Sequence, residues 1–149
     1  MDIESTLVIL KSGAIAVGVV GAIISRFEQR GFTIGAMELR TPTSYQWAEH
    51  YAEHEGKSFF EELVDRMESE GSVVVMEVVG INAIKCVRAM TGATDASDAA
   101  PGTIRGDFGT SVHNNIIHSS DSPVSATREL NVWFPTRVNP QFQNQIPNP

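Results

Sequence analysis

The chain has 149 residues, one domain's length, and its 42 % hydrophobic and 19 % charged residues describe a folded core, not a disordered segment. A formal net charge of −7 argues against a general nucleic-acid binder, which needs a surplus of basic side chains to neutralise phosphates. The lone Cys86 excludes an internal disulfide, and the longest apolar run, residues 14–24, falls short of the roughly 18 residues of a membrane span. With an acidic Met1-Asp2-Ile3-Glu4 start, unlike a basic secretory leader, the expectation is a soluble cytoplasmic protein that neither enters a membrane nor binds nucleic acid specifically.

Ser5 to Leu10 is an apolar run of strand length, ended by Lys11-Ser12-Gly13. Val20, Ile23, Ile24 and Phe27 then recur at helical spacing, with Arg26 and Arg30 in the last turn and Gly31 as the stop. Phe32 to Leu39 alternates as a half-buried strand. Thr43 with Gln46 forms a capping box opening a helix that carries Trp47 and Tyr51. Ser58 with Glu61 reads as a second capping box. It opens a helix with Phe60, Leu63, Val64 and Met67 on one face and a stop near Gly71.

Ser72 to Val79 is dominated by β-branched residues and is the strongest strand in the sequence. A helix is expected over Ile81 to Met90. The stretch from Thr91 to Asn115 has no sustained period and several glycines; a connection this long inside a domain reads as ordered and functional, anchored by Ile104 and Phe108. Asn115 to Ser119 is a short strand, and Ser122-Pro123 opens a last helix reaching about Trp133. The expected fold is α+β, a ferredoxin-like βαββαβ arrangement: a four-stranded antiparallel sheet covered by helices on one face. The irregular tail from Pro135 to Pro149 stands apart from the domain at 1–134.

His118 follows a short strand and precedes a helix start, where backbone N–H groups attract anions, and Glu129 eleven residues later could orient its ring. Read locally, it is equally a histidine capped by neighbouring hydroxyls. Arg88 late in a helix and Arg105 between Gly102 and Gly106 suit bidentate phosphate contact. Arg88 alone reads as well as a charge complementing a helix C-terminus. Lys11 ends a strand, Tyr51 with Trp47 is most simply a core aromatic, and Phe59 lies off its helix's apolar face, free to stack on a base. Cys86 is expected to be buried and inert.

Together these segments closely resemble the nucleoside diphosphate kinase family from about Thr6 to Phe134. The resemblance is carried by NIIHSSDS around His118, DAAPGTIRGDF from Asp98, HYAEHEGKSFF from His50, MTGAT from Met90, LVILK ending at Lys11 and AIISRFEQRGF ending at Phe32. It implies transfer of the γ-phosphoryl group from a nucleoside triphosphate to a nucleoside diphosphate by a ping-pong route through a phosphohistidine. It implies His118 as the nucleophile, Glu129 as its orienting carboxylate and Ser120 as a supporting hydroxyl. Arg88, Thr94 and Arg105 fall on phosphate-binding positions, with Tyr51 and His54 beside them. Lys11 and Asn115 fall at the ribose hydroxyls, and Phe59 and Val112 on the apolar clamp of the base. Mg²⁺ would arrive on the nucleotide phosphates, with no metal held directly by the protein. The resemblance further implies a homo-oligomer, a hexamer over a tetramer, with the tail at a subunit contact.

The pattern departs at Ser12-Gly13, where the family usually has Pro-Asp, at Ser119 in place of glycine, at Val17-Gly18, at His113-Asn114 and at Pro123. These departures leave a nucleotide-binding regulatory homologue of low turnover as the alternative function.

Overall fold

A computed structural model describes residues 2–137. Its elements are β1 (Ile3–Leu10), α1 (Ser12–Ala16), α2 (Val20–Gln29), β2 (Thr33–Arg40), α3 (Ser44–His50), α4 (Phe60–Glu70), β3 (Val73–Ile81), α5 (Ala83–Thr91), α6 (Ile104–Phe108), β4 (Ile117–Ser119) and α7 (Pro123–Trp133). The four strands form one antiparallel sheet in the order β2-β3-β1-β4, the ferredoxin-like arrangement that the element order implied. No helix among the described residues is long and apolar enough to cross a membrane.

Both faces of the sheet are covered, which corrects the expectation of one. On one side Val8, Leu10, Met76 and Val78 pack with Ile23 and Phe27 of α2 and Val87 of α5. On the other, Leu7, Ile9, Val73 and Val75 pack with Trp47 of α3, Met67 of α4, and Leu130 and Trp133 of α7. The central strands read as unbroken apolar runs for this reason: a strand buried on both faces has no solvent side to alternate with. Thr6 to Leu10 and Val73 to Val78 are indeed buried without a break. The edge strand β2 shows the alternation instead, with Met37 and Leu39 exposed.

The helix boundaries follow local chemistry. Thr43 and Gln46 make the reciprocal capping box of α3. The second box is absent: Phe59 is the N-cap of α4, without a side-chain cap bond, because Ser58 lies one residue too early. Gly71, at φ 86°, ends α4 in a conformation that costs glycine little. Ile81 belongs to β3, and α5 starts two residues later, after Asn82 turns the chain through the left-handed region at φ 50°. The glycine-rich connection holds the short α6, its Ile104 fully buried. Cys86 is half-buried, not buried as expected. Ser122 caps α7 through the Ser125 N–H, with Pro123 at its first position. The tail expected over 135–149 lies, beyond Arg137, outside the described residues.

Candidate active site

His118 is the middle residue of β4, paired with Ile9. Side chains alternate along a strand, so Ile117 and Ser119 enter the α5 side while His118 faces α3 and α7. There its Nε2 lies 2.5 Å from Glu129 Oε1, a carboxylate buried on α7. The hydroxyl of Ser120 donates to the same oxygen at 3.2 Å and accepts from the Leu7 N–H at 3.2 Å. With Nε2 engaged by a carboxylate, the ring proton belongs on Nε2 and the lone pair on Nδ1.

A second imidazole stands behind the first. The ring of His50, buried at the end of α3, meets that of His118 edge-on at 4.7 Å. Its Nδ1 accepts a hydrogen bond from Trp133 Nε1 at 3.0 Å. Burial first, then the neighbouring His118 ring and the Arg128 guanidinium, push its pKa well below the usual histidine value, so His50 is neutral.

Around His118 opens a cleft of about 290 Å³ whose walls include Lys11, Arg88, Thr94, Arg105 and Asn115. Arg105 is nearly buried; its two terminal nitrogens donate to the carbonyls of Gly92 at 3.0 Å and Ile117 at 2.7 Å, and its Nε has no partner among the described residues. Arg88 donates to the carbonyl of Ser119 at 3.3 Å. The Lys11 ammonium donates to Asn115 Oδ1 at 2.9 Å, and the amide of Asn115 donates to the Thr94 carbonyl at 3.2 Å. The next residue, Ile116, is held at φ 64°, a costly conformation for a β-branched side chain, and is buried. The strain turns the chain sharply between Asn115, on the cleft wall, and Ile117, in β4.

These cations crowd one another. Burial first, and then the charge of Arg105, lower Lys11 to about 8. Burial and the neighbouring Arg88 lower Arg105 to about 10. Such a site is electrostatically unsatisfied until an anion enters it. Tyr51 also lines the cleft, and burial pushes its phenol up to about 12, keeping it a neutral donor. His54 joins the wall beside it.

Phe59 and Val112 stand outside the His118 cleft and are exposed, with relative accessibilities of 46 % and 45 %. The cleft thus assembles every expected residue except this apolar pair and Ser120, which supports the site from behind Glu129. Four further wall residues with ionisable side chains escaped the sequence reading, His50, Glu53, Asp121 and Arg128, beside the uncharged Ile117, Ser119 and Ser125. Adjacency to Tyr51 and Glu129 was the one available signal for His50 and Arg128. Arg128 donates to the carbonyls of Glu49 and His50 and to the Glu53 carboxylate, stitching α7 to the end of α3.

His50, His118 and Glu129 bring ligating atoms within 4.8 Å of one another. Two imidazoles and one carboxylate do not suit a hard cation such as Mg²⁺, which takes oxygen ligands and keeps several waters. The donors are also already used: Glu129 accepts from His118 and Ser120, and His50 accepts from Trp133. Asp121 fits a hydrated divalent cation better. Hydrogen bonds from Ser125 and Ser122 hold its carboxyl below the usual range and so ionised.

The sequence profile described as nucleoside diphosphate kinase matches residues 4–138. The chain belongs to the nucleoside diphosphate kinase family. A nucleoside diphosphate kinase of a Nocardioides species is 51 % identical over 130 residues, covering 87 % of this chain and 96 % of that protein. The solved structure of the Aquifex aeolicus nucleoside diphosphate kinase superposes with a TM-score of 0.85 at 43 % identity, covering 89 % of this chain and 96 % of the other. That of the halophilic enzyme from Halobacterium salinarum, in complex with CDP, gives the same TM-score at 39 % identity and covers 93 % of each chain. The nucleoside diphosphate kinase match spans the whole cleft, from Lys11 just after β1 to Glu129 on α7.

Proposed function

We propose that this chain is an active nucleoside diphosphate kinase that works through phosphorylated His118. The observation that carries the reading is the pairing of His118 Nε2 with Glu129 in a cleft walled by Lys11, Arg88 and Arg105. The Nδ1 lone pair attacks the γ-phosphorus of a bound triphosphate. The N–P bond forms as the bond from phosphorus to the β,γ-bridging oxygen breaks, and the diphosphate leaves with that electron pair. A second nucleoside diphosphate then attacks the phosphohistidine in reverse, so donor and acceptor use one site in turn.

One phosphoanhydride is exchanged for another, so the protein's work is positioning and charge neutralisation. Arg88 and Arg105 face the transferring phosphates with Thr94 and the phenol of Tyr51, and His54 lies at their edge. Lys11 and Asn115, already paired, meet the ribose hydroxyls. Glu129, fixed by Ser120, stabilises the positive charge that develops on the ring. Phe59 and Val112 hold the base between apolar surfaces without edge hydrogen bonds, which fits tolerance of different bases. The Halobacterium salinarum relative was solved with a nucleoside diphosphate, the ligand class this cleft suits.

Magnesium ions, bound with the nucleotide, would neutralise phosphate charge, with Asp121 the residue to meet their hydration shell. A cytoplasmic setting fits the lone Cys86 and its lack of a disulfide partner. A homo-oligomer fits the exposed Met37 and Leu39 on the edge strand, and we take its form as a hexamer.

The test is a two-step transfer. The protein is incubated with γ-labelled Mg-ATP, freed of nucleotide and then given GDP, with His118→Ala in parallel. The expected result is acid-labile, base-stable label on the wild type that passes to GDP, and none on the variant. A wild type that binds ATP without taking up label overturns the reading.

A further inference from the structure

Ser119 is nearly buried, on the opposite face of β4 from His118, where the family pattern usually has glycine. Its hydroxyl lies 3.1 Å from that of Thr91, the fully buried last residue of α5. The Thr91 hydroxyl spends its proton on the Val87 carbonyl at 2.7 Å, so it can only accept from Ser119. The direction of this relay is therefore fixed: Ser119 to Thr91 to the α5 backbone. The same Ser119 accepts Arg88 Nη1 through its carbonyl, one turn earlier on α5. β4 is only three residues long and, among the described residues, pairs with β1 alone, so its ladder by itself holds His118 weakly.

We propose that Ser119 is a positioning residue: its hydroxyl relay through Thr91 fixes the spacing between the strand bearing His118 and the helix bearing Arg88. Arg88 and His118 approach the transferring phosphoryl group from different elements, and nothing within either element sets their separation. The relay supplies that setting in this chain. The proposal rests on His118 being the phosphorylated residue.

The test measures the single-turnover rate constant for His118 phosphorylation by Mg-ATP, which is independent of how much protein is folded. Ser119→Ala and Thr91→Val are each expected to slow it about tenfold, the scale on which small misplacements act. ADP affinity by calorimetry should change far less. The double variant should be no slower than either single one, because both remove the same link. Thr91→Ser keeps the hydroxyl and should retain the wild-type rate, which covers the case in which Thr91→Val fails to fold. An unchanged rate constant in Ser119→Ala overturns the proposal, as do additive effects or a slow Thr91→Ser. A wild type that takes up no label instead overturns the phosphohistidine reading itself.

Discussion

Lys11 carries a pH dependence that can be worked out in sign. In the free site its pKa is lowered to about 8 by burial and by Arg105. A bound nucleotide supplies negative charge and restores it toward its ordinary value of 10.5. Its contribution to affinity is therefore complete below pH 8 and is lost as the pH rises from there. The dissociation constant for ADP should rise between pH 8 and pH 10, and Lys11→Met should bind more weakly and lose most of that rise; titration calorimetry checks both. In the proposed mechanism Glu129 acts through the His118 ring, which its carboxylate meets at Nε2. Glu129→Gln preserves shape but removes the charge that stabilises the developing imidazolium, and should slow phosphorylation on the order of 10²-fold with ADP binding little changed. Rapid-quench kinetics reads that split. His118, Arg105 and Lys11 were singled out in the sequence by the family motifs that hold them, since the residues read one by one leave other readings open. His50 and Arg128 were not, because their value comes from partners 68 to 83 residues distant, His118 and Trp133 for one and the α3 carbonyls for the other.

The two proposed capping boxes make a controlled comparison between elements that look alike in one dimension. The Thr43 hydroxyl accepts the Gln46 N–H and the Thr43 N–H donates to the Gln46 side-chain oxygen in return, whereas α4 begins at Phe60 with no side-chain cap. Thr43→Ala should cost about 1 kcal/mol in urea unfolding, and Ser58→Ala close to nothing. A loss of stability in Ser58→Ala equal to that in Thr43→Ala would contradict the assigned start of α4. The periodic helices and β-branched strands were legible to within a residue or two, because period and propensity are properties of short windows. The short α1 and α6 were not. Five residues cannot establish a period, and these turns persist only because Ala14 and Ile104 are buried by the rest of the fold.

Across the whole molecule, a cationic cleft sits in a chain of net charge −7. The attraction is local, so the KM for nucleotide should rise on moving from low salt to several hundred millimolar, as screening shortens its reach. The end of the described chain is tied to the centre of the sheet: Arg137 meets the buried carboxylate of Glu77 at 2.6 Å. A Cβ on Gly35 would collide with that carboxylate, so β2 carries glycine there. Arg137→Ala leaves a buried charge unpaired and should cost about 3 kcal/mol in equilibrium unfolding, whereas Arg137→Lys should recover part of it. The sequence alone determined the order of the four strands and the longer helices, the nucleoside diphosphate kinase resemblance and most of the cleft residues, because these depend on local spacing and motif. Only the tertiary structure decided that both faces of the sheet are covered, that His50 backs His118, and that Ser119 and Arg137 link distant elements. Those relations depend on which residues become neighbours once the chain has closed, and contacts between residues far apart in sequence leave no period to read.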